Sequence, residues 1–191
     1  MKVPGIPQKP LFYVDALDLR SPDSIRRVVI HATELPDLTT AREYGERIHH
    51  QDSGTGNSGH FYIDRDGSVE QWVPLERVAH HVRGHNTDTI GIELVNRGRW
   101  PDWYDSRHQE WEESYPAAQI QALIELLARL ERTLSTLAEI AGHDQLDHDW
   151  IASSDNPEVL VRRKTDPGPE FPWSKVLAET GLELYREGGD N

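Results

Sequence analysis

The pattern of hydrophobic and polar positions divides the chain into several short apolar runs and one long helical stripe. The runs are rich in β-branched and aromatic residues and end in polar residues, which is typical of buried strands. They are centred on Val28, Tyr62, Val69, Ile92 and Ile140. The stripe runs from Ile120 to Leu134 with apolar residues at helical spacing, which predicts a helix after Pro116. Together they predict a single α/β domain with a central mixed β-sheet flanked by helices.

Turn and cap signals add a hairpin and two further helices. Arg65-Asp66-Gly67 separates two alternating runs, and an Asp-Gly pair supplies the positive φ angles of a tight hairpin turn. Thr40 and Glu43 have capping-box spacing, which predicts a helix that runs to about His50. A closing helix is predicted to start near Phe171.

Composition divides the chain into a lead-in, one domain and a tail. Residues 1–24 are rich in Pro and Asp and are predicted to form an extended lead-in. Residues 25–180 hold the predicted strands and helices, whereas residues 181–191 end in Gly, Asp and Asn, which favours a flexible tail. Within the domain, residues 97–115 and 144–161 are predicted to be long loops, and loops of this length are often functional.

The composition and charge of the chain exclude several kinds of partner and chemistry. The 191 residues are 36% hydrophobic, which suffices for the core of one domain. The net charge of -13 argues against binding to nucleic acid or to an anionic membrane, because both partners need clustered Lys and Arg. The chain has no cysteine, so any metal must be held by histidine and carboxylate groups. No signal peptide or membrane span is visible, and we expect a cytoplasmic monomer.

Polar residues stand at the ends of predicted strands and in a rigid loop near the C-terminus. His31 and His143 each end a predicted strand, and Asp166 precedes the stiff segment Pro167-Gly168-Pro169. Two histidines and a carboxylate with an open fourth position are typical ligands of a catalytic zinc ion. The alternative is that each histidine only caps its strand, because residues so far apart in sequence form no local metal motif. Glu93 also needs an explanation, since a carboxylate in a buried apolar strand requires a partner.

Several segments of the chain occur in the order of a known enzyme family. The segments are Val28-Val29-Ile30-His31, Ser58-Gly59-His60-Phe61-Tyr62-Ile63, His81 to Asn86, Ile90-Gly91-Ile92-Glu93-Leu94, Gly142-His143 and Arg163-Lys164-Thr165-Asp166-Pro167-Gly168-Pro169. With these segments the chain resembles the zinc-dependent N-acetylmuramoyl-L-alanine amidases, in the AmpD-like branch of the amidase and peptidoglycan-recognition-protein superfamily. The resemblance runs from about Ile25 to Leu177.

The resemblance implies an activity, a cofactor and a set of site residues. The activity is hydrolysis of the amide bond between the lactyl group of N-acetylmuramic acid and L-alanine, in peptidoglycan or in a small anhydro-muropeptide. The cofactor is one zinc ion, and its implied ligands are His31, His143 and Asp166. Glu93 matches the general base, and Lys164 matches the lysine that faces the scissile carbonyl. The positions that match the border of the substrate groove are His60, His81 and Asn86.

The chain departs from the family pattern at two places. Gly59 stands where the peptidoglycan-recognition and phage-lysozyme branch tends to have tyrosine, and Glu93 is expected to replace the function of that tyrosine. The loop after His143 is longer than is usual in the family, and its His148 is an alternative third ligand.

Other functions fit the sequence less well. A non-catalytic peptidoglycan-binding module of the same fold is the alternative to an amidase, but the three ligands, Glu93 and Lys164 all occur together here. A zinc D,D- or L,D-peptidase is excluded by spacing, because Gly67 stands where that family has an aspartate. The sequence leaves open whether the substrate is polymeric peptidoglycan, cut by a phage-type lysin, or a recycled anhydro-muropeptide. The other histidines, which are expected at the surface or in the groove, are His49, His50, His80, His85 and His108.

Overall fold

The computed structural model describes residues 1–187, which form a central mixed sheet with helices packed against it. The six strands of this sheet are β1 (Arg27–Ala32), β2 (Phe61–Ile63), β3 (Val69–Gln71), β4 (Thr89–Leu94), β5 (Glu139–Gly142) and β8 (Glu183–Leu184). Their spatial order is β3-β2-β4-β1-β5-β8, and β3 runs antiparallel to β2 while the other pairs are parallel. A separate ribbon pairs β6 (Trp150–Ala152) with β7 (Leu160–Arg162). The helices are α1 (Leu38–Gly45), α2 (Ala117–Thr133) and α3 (Trp173–Ala178). The predicted α/β domain with a mixed sheet is confirmed.

The parallel strands β4, β1 and β5 bring their carboxyl ends to one edge of the sheet. β1 lies between the other two, with His31 opposite Glu93 on β4 and Ile30 opposite Gly142 on β5. His143 follows Gly142 directly, so it leaves the sheet at the same edge. Ligands of open α/β sheets bind outside the carboxyl ends of the strands. The register therefore places three of the predicted site residues side by side.

Helix α2 supplies much of the main hydrophobic core. Its apolar stripe is buried, as the sequence predicts, and it belongs to one cluster with residues of β1 and β4. Fully buried members of this cluster include Leu123, Leu127, Leu130, Val28, Ile30, Ile90 and Ile92. Burying each such side chain stabilises the fold by roughly 1.5–3 kcal/mol. Among residues 1–187, neither α2 nor any other helix is long and apolar enough to cross a membrane.

Residues 1–24, the predicted lead-in, contribute side chains to the core. Val3 belongs to the main cluster, and Leu11, Tyr13 and Leu17 form a second buried cluster together with Trp72. The sequence predicts an extended segment here because proline and aspartate separate these apolar residues. Their burial shows that the segment packs against the sheet-forming part of the chain.

Helix α1 begins and ends earlier than the capping-box spacing predicts. Its N-terminal cap is Asp37, whose carboxylate accepts a hydrogen bond from Thr40 N at 2.7 Å. The helix ends at Gly45 and not near His50, and Tyr13 Oη donates to the Gly45 carbonyl at 2.6 Å. The predicted boundaries were wrong because the cap is a different residue and the end is held by a side chain distant in sequence.

Two segments that the sequence predicts to be irregular contain strands. Residues 144–161 include β6 and the start of β7. The predicted tail, 181–191, includes β8, which pairs with β5 at the edge of the sheet. Its last residues, 188–191, lie outside the described part of the chain. Both sets of strands are very short, so they leave no periodic pattern in the sequence.

Candidate active site

Three buried side chains converge at the carboxyl edge of the sheet. His31 comes from β1, His143 follows β5, and Asp166 lies in the loop between β7 and α3. His31 Nδ1 lies 3.0 Å from His143 Nδ1 and 3.1 Å from Asp166 Oδ2. The distance between His143 Nδ1 and Asp166 Oδ2 is 3.2 Å. Two imidazole nitrogens and one carboxylate oxygen therefore face a common point, although 135 positions separate the first and last residues in sequence.

The protonation states and contacts of these residues fit a bound zinc ion. Burial lowers the pKa of His143, which favours the neutral imidazole that binds metal. Burial would raise the pKa of Asp166, but the neighbouring His143 and Lys164 hold it well below its usual range, so the carboxylate stays charged. Its second oxygen, Oδ1, is buried and has no hydrogen-bond partner among the described residues. A cation shared by the three groups would satisfy this arrangement.

His148 does not belong to this cluster. Its side chain is exposed, and its Nε2 lies 2.9 Å from the Gln145 carbonyl oxygen. The alternative in which His148 replaces Asp166 as a ligand is therefore contradicted by the position of the two side chains. The short helical turn after Gly142 carries His143 inward and leaves His148 at the surface.

Glu93 lies beside His31 because the two residues are register partners on adjacent parallel strands. Burial raises the pKa of Glu93 to about 7, an effect that the neighbouring His31 and Lys164 partly offset. Gly59 makes room for the side chain, since a Cβ atom at position 59 would lie 2.7 Å from Glu93 Cγ. It would also lie 3.1 Å from the Gly91 carbonyl oxygen. A residue larger than glycine at position 59 would therefore displace Glu93 from its present position. This explains in physical terms why the chain has Gly59 where the other branch tends to have tyrosine.

We expect Gly59→Ala to displace the Glu93 carboxylate and to lower kcat for any reaction that uses this carboxylate. A displacement of about 1 Å in a catalytic group reduces the rate by roughly 10²-fold. The added methyl group should also destabilise the fold in the presence of Glu93, and it should destabilise less in a Glu93→Ala background. Chemical denaturation of the unsubstituted protein, the two single variants and the double variant measures the energetic coupling between positions 59 and 93. Gly181→Ala is the control, because its Cβ would meet only the flexible end of Glu131. An unchanged kcat in Gly59→Ala would contradict the steric interpretation.

Lys164 remains a cation in this site. Burial alone would lower the pKa of its ammonium group, but the carboxylates of Asp166 and Glu34 outweigh that effect and raise the pKa. The side chain lines the same cavity as Glu93 and the three candidate ligands. A fixed positive charge is thus available next to the point at which the ligands meet.

Of the three residues predicted to border the groove, two line the cavity and one does not. His81 lines the cavity, and its Nδ1 lies 3.0 Å from His31 Nε2. Burial and the neighbouring His31 hold the pKa of His81 well below its usual value, so the ring is neutral. Asn86 also lines the cavity, but its Oδ1 accepts from His81 N and Val82 N at 3.0 and 2.8 Å, which fixes the loop.

His60 lies behind the cavity wall and not in it. The ring has no exposed surface, and its Nδ1 accepts a hydrogen bond from Gly91 N at 3.1 Å. Its Nε2 lies 3.1 Å from the Arg77 carbonyl oxygen. The expectation that His60 borders the substrate groove is therefore not met, because a fully enclosed ring with both nitrogens in contact with the backbone cannot reach a substrate. A histidine beside a strand carries no sequence signal of such burial.

A buried ion pair links the site to the long loop 97–115, and nothing in the sequence indicates it. Arg99 is fully buried and makes a bidentate pair with Glu34, with Nε–Oε1 and Nη2–Oε2 distances of 2.8 and 3.1 Å. Glu34 has a φ angle of 49°, a left-handed conformation that is uncommon outside glycine. Arg99 Nη1 also donates to the Arg162 carbonyl at 3.0 Å, two residues before Lys164. The pair thus joins the end of β1 to the segment that carries Lys164.

Two further contacts tie loop 97–115 to the segment around Asp166. Trp111 Nε1 donates to Thr165 Oγ1 at 3.2 Å, and Tyr115 Oη donates to the Pro167 carbonyl at 2.6 Å. Both contacts flank Asp166 in sequence. The loop therefore braces the segment that supplies a candidate ligand and the candidate lysine.

The site opens into a cavity of about 650 Å³. This volume lies within the range of roughly 300–1,000 Å³ that is typical of ligand sites. Besides the residues already described, the wall includes aromatic and imidazole side chains of α1, loop 97–115 and the loops near positions 50 and 80. They are Tyr44, Trp103, Tyr104, His49, His50 and His80.

Comparison with known sequences identifies relatives of the chain. The sequence model of the N-acetylmuramoyl-L-alanine amidase family matches residues 21–169. The chain is 35% identical over 125 residues to the N-acetylmuramoyl-L-alanine amidase AmiD of Escherichia coli strain K12, which is 61% of this chain and 39% of AmiD. It is 29% identical over 139 residues to the 1,6-anhydro-N-acetylmuramyl-L-alanine amidase AmpD of Salmonella typhimurium strain LT2, which is 68% of this chain and 60% of AmpD. The chain therefore matches less than two thirds of the length of either relative.

Solved structures with the same fold include amidases. The endolysin LysCS of Clostridium intestinale URNW, an N-acetylmuramoyl-L-alanine amidase, superimposes with a TM-score of 0.66 at 22% identity, covering 95% of this chain and 99% of LysCS. The complex of Escherichia coli AmiD with the substrate anhydro-N-acetylmuramic acid-L-Ala-D-gamma-Glu-L-Lys gives a TM-score of 0.61 at 25% identity, covering 86% of this chain and 60% of AmiD. These similarities extend over nearly the whole described structure.

Proposed function

The chain belongs to the N-acetylmuramoyl-L-alanine amidase family, and from this premise we propose that it hydrolyses the amide bond between the lactyl group of N-acetylmuramic acid and L-alanine. The observation that carries the proposal is the convergence of His31, His143 and Asp166 beside Glu93 in an open cavity. A binding module would need a cavity that holds the ligand, but it would not need a carboxylate next to a metal site. The position of Glu93 therefore favours an enzyme.

We assign His31, His143 and Asp166 as the residues that hold one zinc ion. Zinc in such a site would lower the pKa of a water molecule and polarise a carbonyl oxygen, which supplies a nucleophile at neutral pH without a thiol, and the chain has no cysteine. The protein prepares the site by burying the three side chains and by keeping Asp166 ionised.

Glu93 is assigned as the general base. Its carboxylate takes a proton from the attacking water and later gives it to the nitrogen of the departing L-alanine. In the metal-free protein burial raises the pKa of Glu93 to about 7, and such burial favours proton transfer because it makes the carboxylate a stronger base than an exposed one. Because Gly59 has no side chain, the Glu93 carboxylate can lie next to His31 and thus next to the residues that would hold the ion.

Lys164 is assigned to the carbonyl oxygen of the scissile amide. Its ammonium group stays charged in the cavity and donates a hydrogen bond as negative charge develops on that oxygen. A donor of this kind typically contributes about 2.7–4 kcal/mol to the transition state. The loop that carries Lys164 is braced by Arg99, so the donor is held in place before the substrate arrives.

We propose small anhydro-muropeptides as the preferred substrates. AmpD is named for the 1,6-anhydro form of N-acetylmuramyl-L-alanine, and AmiD has been solved with an anhydro-muramyl peptide. The open cavity of about 650 Å³ is large enough for one sugar and the first residues of a stem peptide. Polymeric peptidoglycan is the alternative substrate.

Product analysis tests the proposal. The zinc-loaded protein should convert an anhydro-muropeptide into free anhydro-N-acetylmuramic acid and an intact stem peptide, detected by mass spectrometry, and should turn over intact sacculi more slowly. Chelation or His31→Ala should stop the reaction, whereas His148→Ala should not, because its side chain lies at the surface. A shortened stem peptide would indicate a peptidase. Tight binding of the muropeptide without cleavage would indicate a binding module.

A further inference from the structure

A chain of three hydrogen-bonded side chains leads from His31 away from the candidate metal site. His31 Nε2 lies 3.0 Å from His81 Nδ1, and His81 Nε2 lies 3.2 Å from Thr89 Oγ1. Thr89 Oγ1 in turn lies 2.6 Å from the His85 carbonyl oxygen. Neither Thr89 nor His85 lines the cavity, so the far end of the chain is separate from the residues that would meet a substrate.

The last contact fixes the direction of every hydrogen bond in this chain. A carbonyl oxygen can only accept, so the single hydroxyl proton of Thr89 points to His85 O. Thr89 Oγ1 must then accept from His81, which places the proton of a singly protonated His81 ring on Nε2. His81 Nδ1 is left as an acceptor, and it requires the proton of His31 to be on Nε2.

From this geometry we infer that Thr89 is a positioning residue that sets the tautomer of His31 through His81. The inference rests on the assignment of His31 as a metal ligand. With its proton on Nε2, His31 presents the bare Nδ1 atom to His143 and Asp166, and this is the only tautomer that can donate its Nδ1 lone pair to zinc.

The surroundings of His81 hold the ring in the position that this chain requires. A Cβ atom at Gly91 would lie 2.6 Å from His81 Cγ, so glycine at this position lets the ring pack directly on β4. Asn86 Oδ1 accepts from His81 N at 3.0 Å and fixes the backbone of the same residue. Thr89 itself is fully buried at the start of β4. The three contacts leave the His81 ring little freedom to turn away from His31.

The test compares Thr89→Val with Thr89→Ser in the full chain. Valine keeps the shape of the side chain but cannot accept from His81 Nε2, whereas serine keeps the hydroxyl. Zinc affinity is measured at constant pH by competition with a chromophoric chelator. We expect Thr89→Val to bind zinc more weakly, by up to about 10–100-fold, which is the usual loss when a direct partner of a metal-binding histidine is removed. Thr89→Ser should retain the affinity of the unsubstituted protein.

A second readout needs no metal. Nitrogen NMR of the imidazoles in the metal-free protein distinguishes the two tautomers of His31. We expect the proton on Nε2 in the unsubstituted protein and in Thr89→Ser, and a mixture of tautomers in Thr89→Val. A proton on Nδ1 in the unsubstituted protein would overturn the inference even if Thr89→Val fails to fold. Equal zinc affinity of the folded valine and serine variants would overturn it as well.

These readouts separate the inference from the proposed function. Neither zinc affinity nor the tautomer of His31 depends on cleavage of a muropeptide. A protein that binds zinc and shows the expected tautomer, but leaves muropeptides intact, would contradict the amidase assignment and support the role of Thr89. A protein that cleaves muropeptides, while both Thr89 variants bind zinc equally, would support the amidase assignment and contradict the role of Thr89.

Discussion

Glu93→Gln is expected to remove most of the amidase activity and, at neutral pH and above, to stabilise the metal-free protein. Glutamine has nearly the same shape as glutamate but cannot accept the proton of the attacking water. Loss of a general base lowers the rate by about 10²–10⁴-fold. The stabilisation has a separate cause, which is that burial raises the pKa of Glu93 from 4.5 to about 7.

The sign of the stability effect follows from that raised pKa. A carboxyl group whose pKa is higher in the folded state binds its proton more tightly when folded, so its ionisation disfavours the fold. Below pH 4.5 the group is protonated in both states, and the two proteins should be equally stable. As pH rises to about 7, the wild-type protein loses stability relative to Glu93→Gln. Above that pH we expect a constant difference of about 1–3 kcal/mol, since a tenfold change in proton affinity corresponds to about 1.4 kcal/mol.

Denaturant unfolding of the metal-free proteins at several pH values measures this difference, and muropeptide turnover of the zinc-loaded proteins measures the activity. Glu158→Gln is a matched control, because it removes the same charge from an exposed position. Glu158→Gln should change neither the free energy of unfolding nor the muropeptide turnover. Wild-type turnover by Glu93→Gln would rule out Glu93 as the base, and a stability difference that does not depend on pH would contradict the raised pKa.

Arg99→Met is expected to be the most destabilising single substitution near the site. The substitution removes the ion-pair partner of Glu34, which is only 6% exposed and keeps the hydrogen bond from the backbone N–H of residue 99. Removing one member of a buried ion pair costs about 3–5 kcal/mol. In a protein of this size, each kcal/mol lowers Tm by about 2–4 °C. The loss of the hydrogen bond to the Arg162 carbonyl should also loosen the segment that carries Lys164 and lower kcat.

Two further variants test whether the buried ion pair is the cause of the lost stability. Glu34→Gln combined with Arg99→Met removes the unpaired charge and should recover part of the lost stability, although the link to Arg162 stays broken. Arg107→Met removes an exposed arginine from the same loop and should change the free energy of unfolding by less than about 0.5 kcal/mol. Thermal unfolding of the variants distinguishes these cases. A Tm for Arg99→Met close to that of Arg107→Met would show that the ion pair does not stabilise the fold.

Much of the fold and the centre of the site can be predicted from the sequence, because backbone periodicity carries the relevant information. His31, Glu93 and His143 each interrupt or end an apolar run, and parallel strands bring such positions together at one edge. Asp166 is detectable because prolines stiffen its loop. These features depend on local sequence and on the regular geometry of a sheet.

The supporting residues cannot be predicted in the same way. Glu34 and Arg99 are 65 positions apart, and each lies in an irregular segment whose path depends on the finished fold. Thr89 is an ordinary strand residue by composition, and its role depends on the exact course of the loop that contains His81. His60 was predicted as a site residue, and this was wrong. A polar residue near the site is expected to face the groove, but the His60 ring is fully buried in the protein.

The pairing of His31 with Glu93 across adjacent strands also bears on how far sequences of this fold can diverge. The strands of a β-sheet lie about 4.8 Å apart whatever side chains they carry. The separation between His31, the proposed ligand, and Glu93, the proposed base, is therefore set by peptide geometry, which mutations in the core do not alter. Drift of the surrounding sequence can change stability, loops and specificity while this one spacing is inherited unchanged, as long as both strands keep their register.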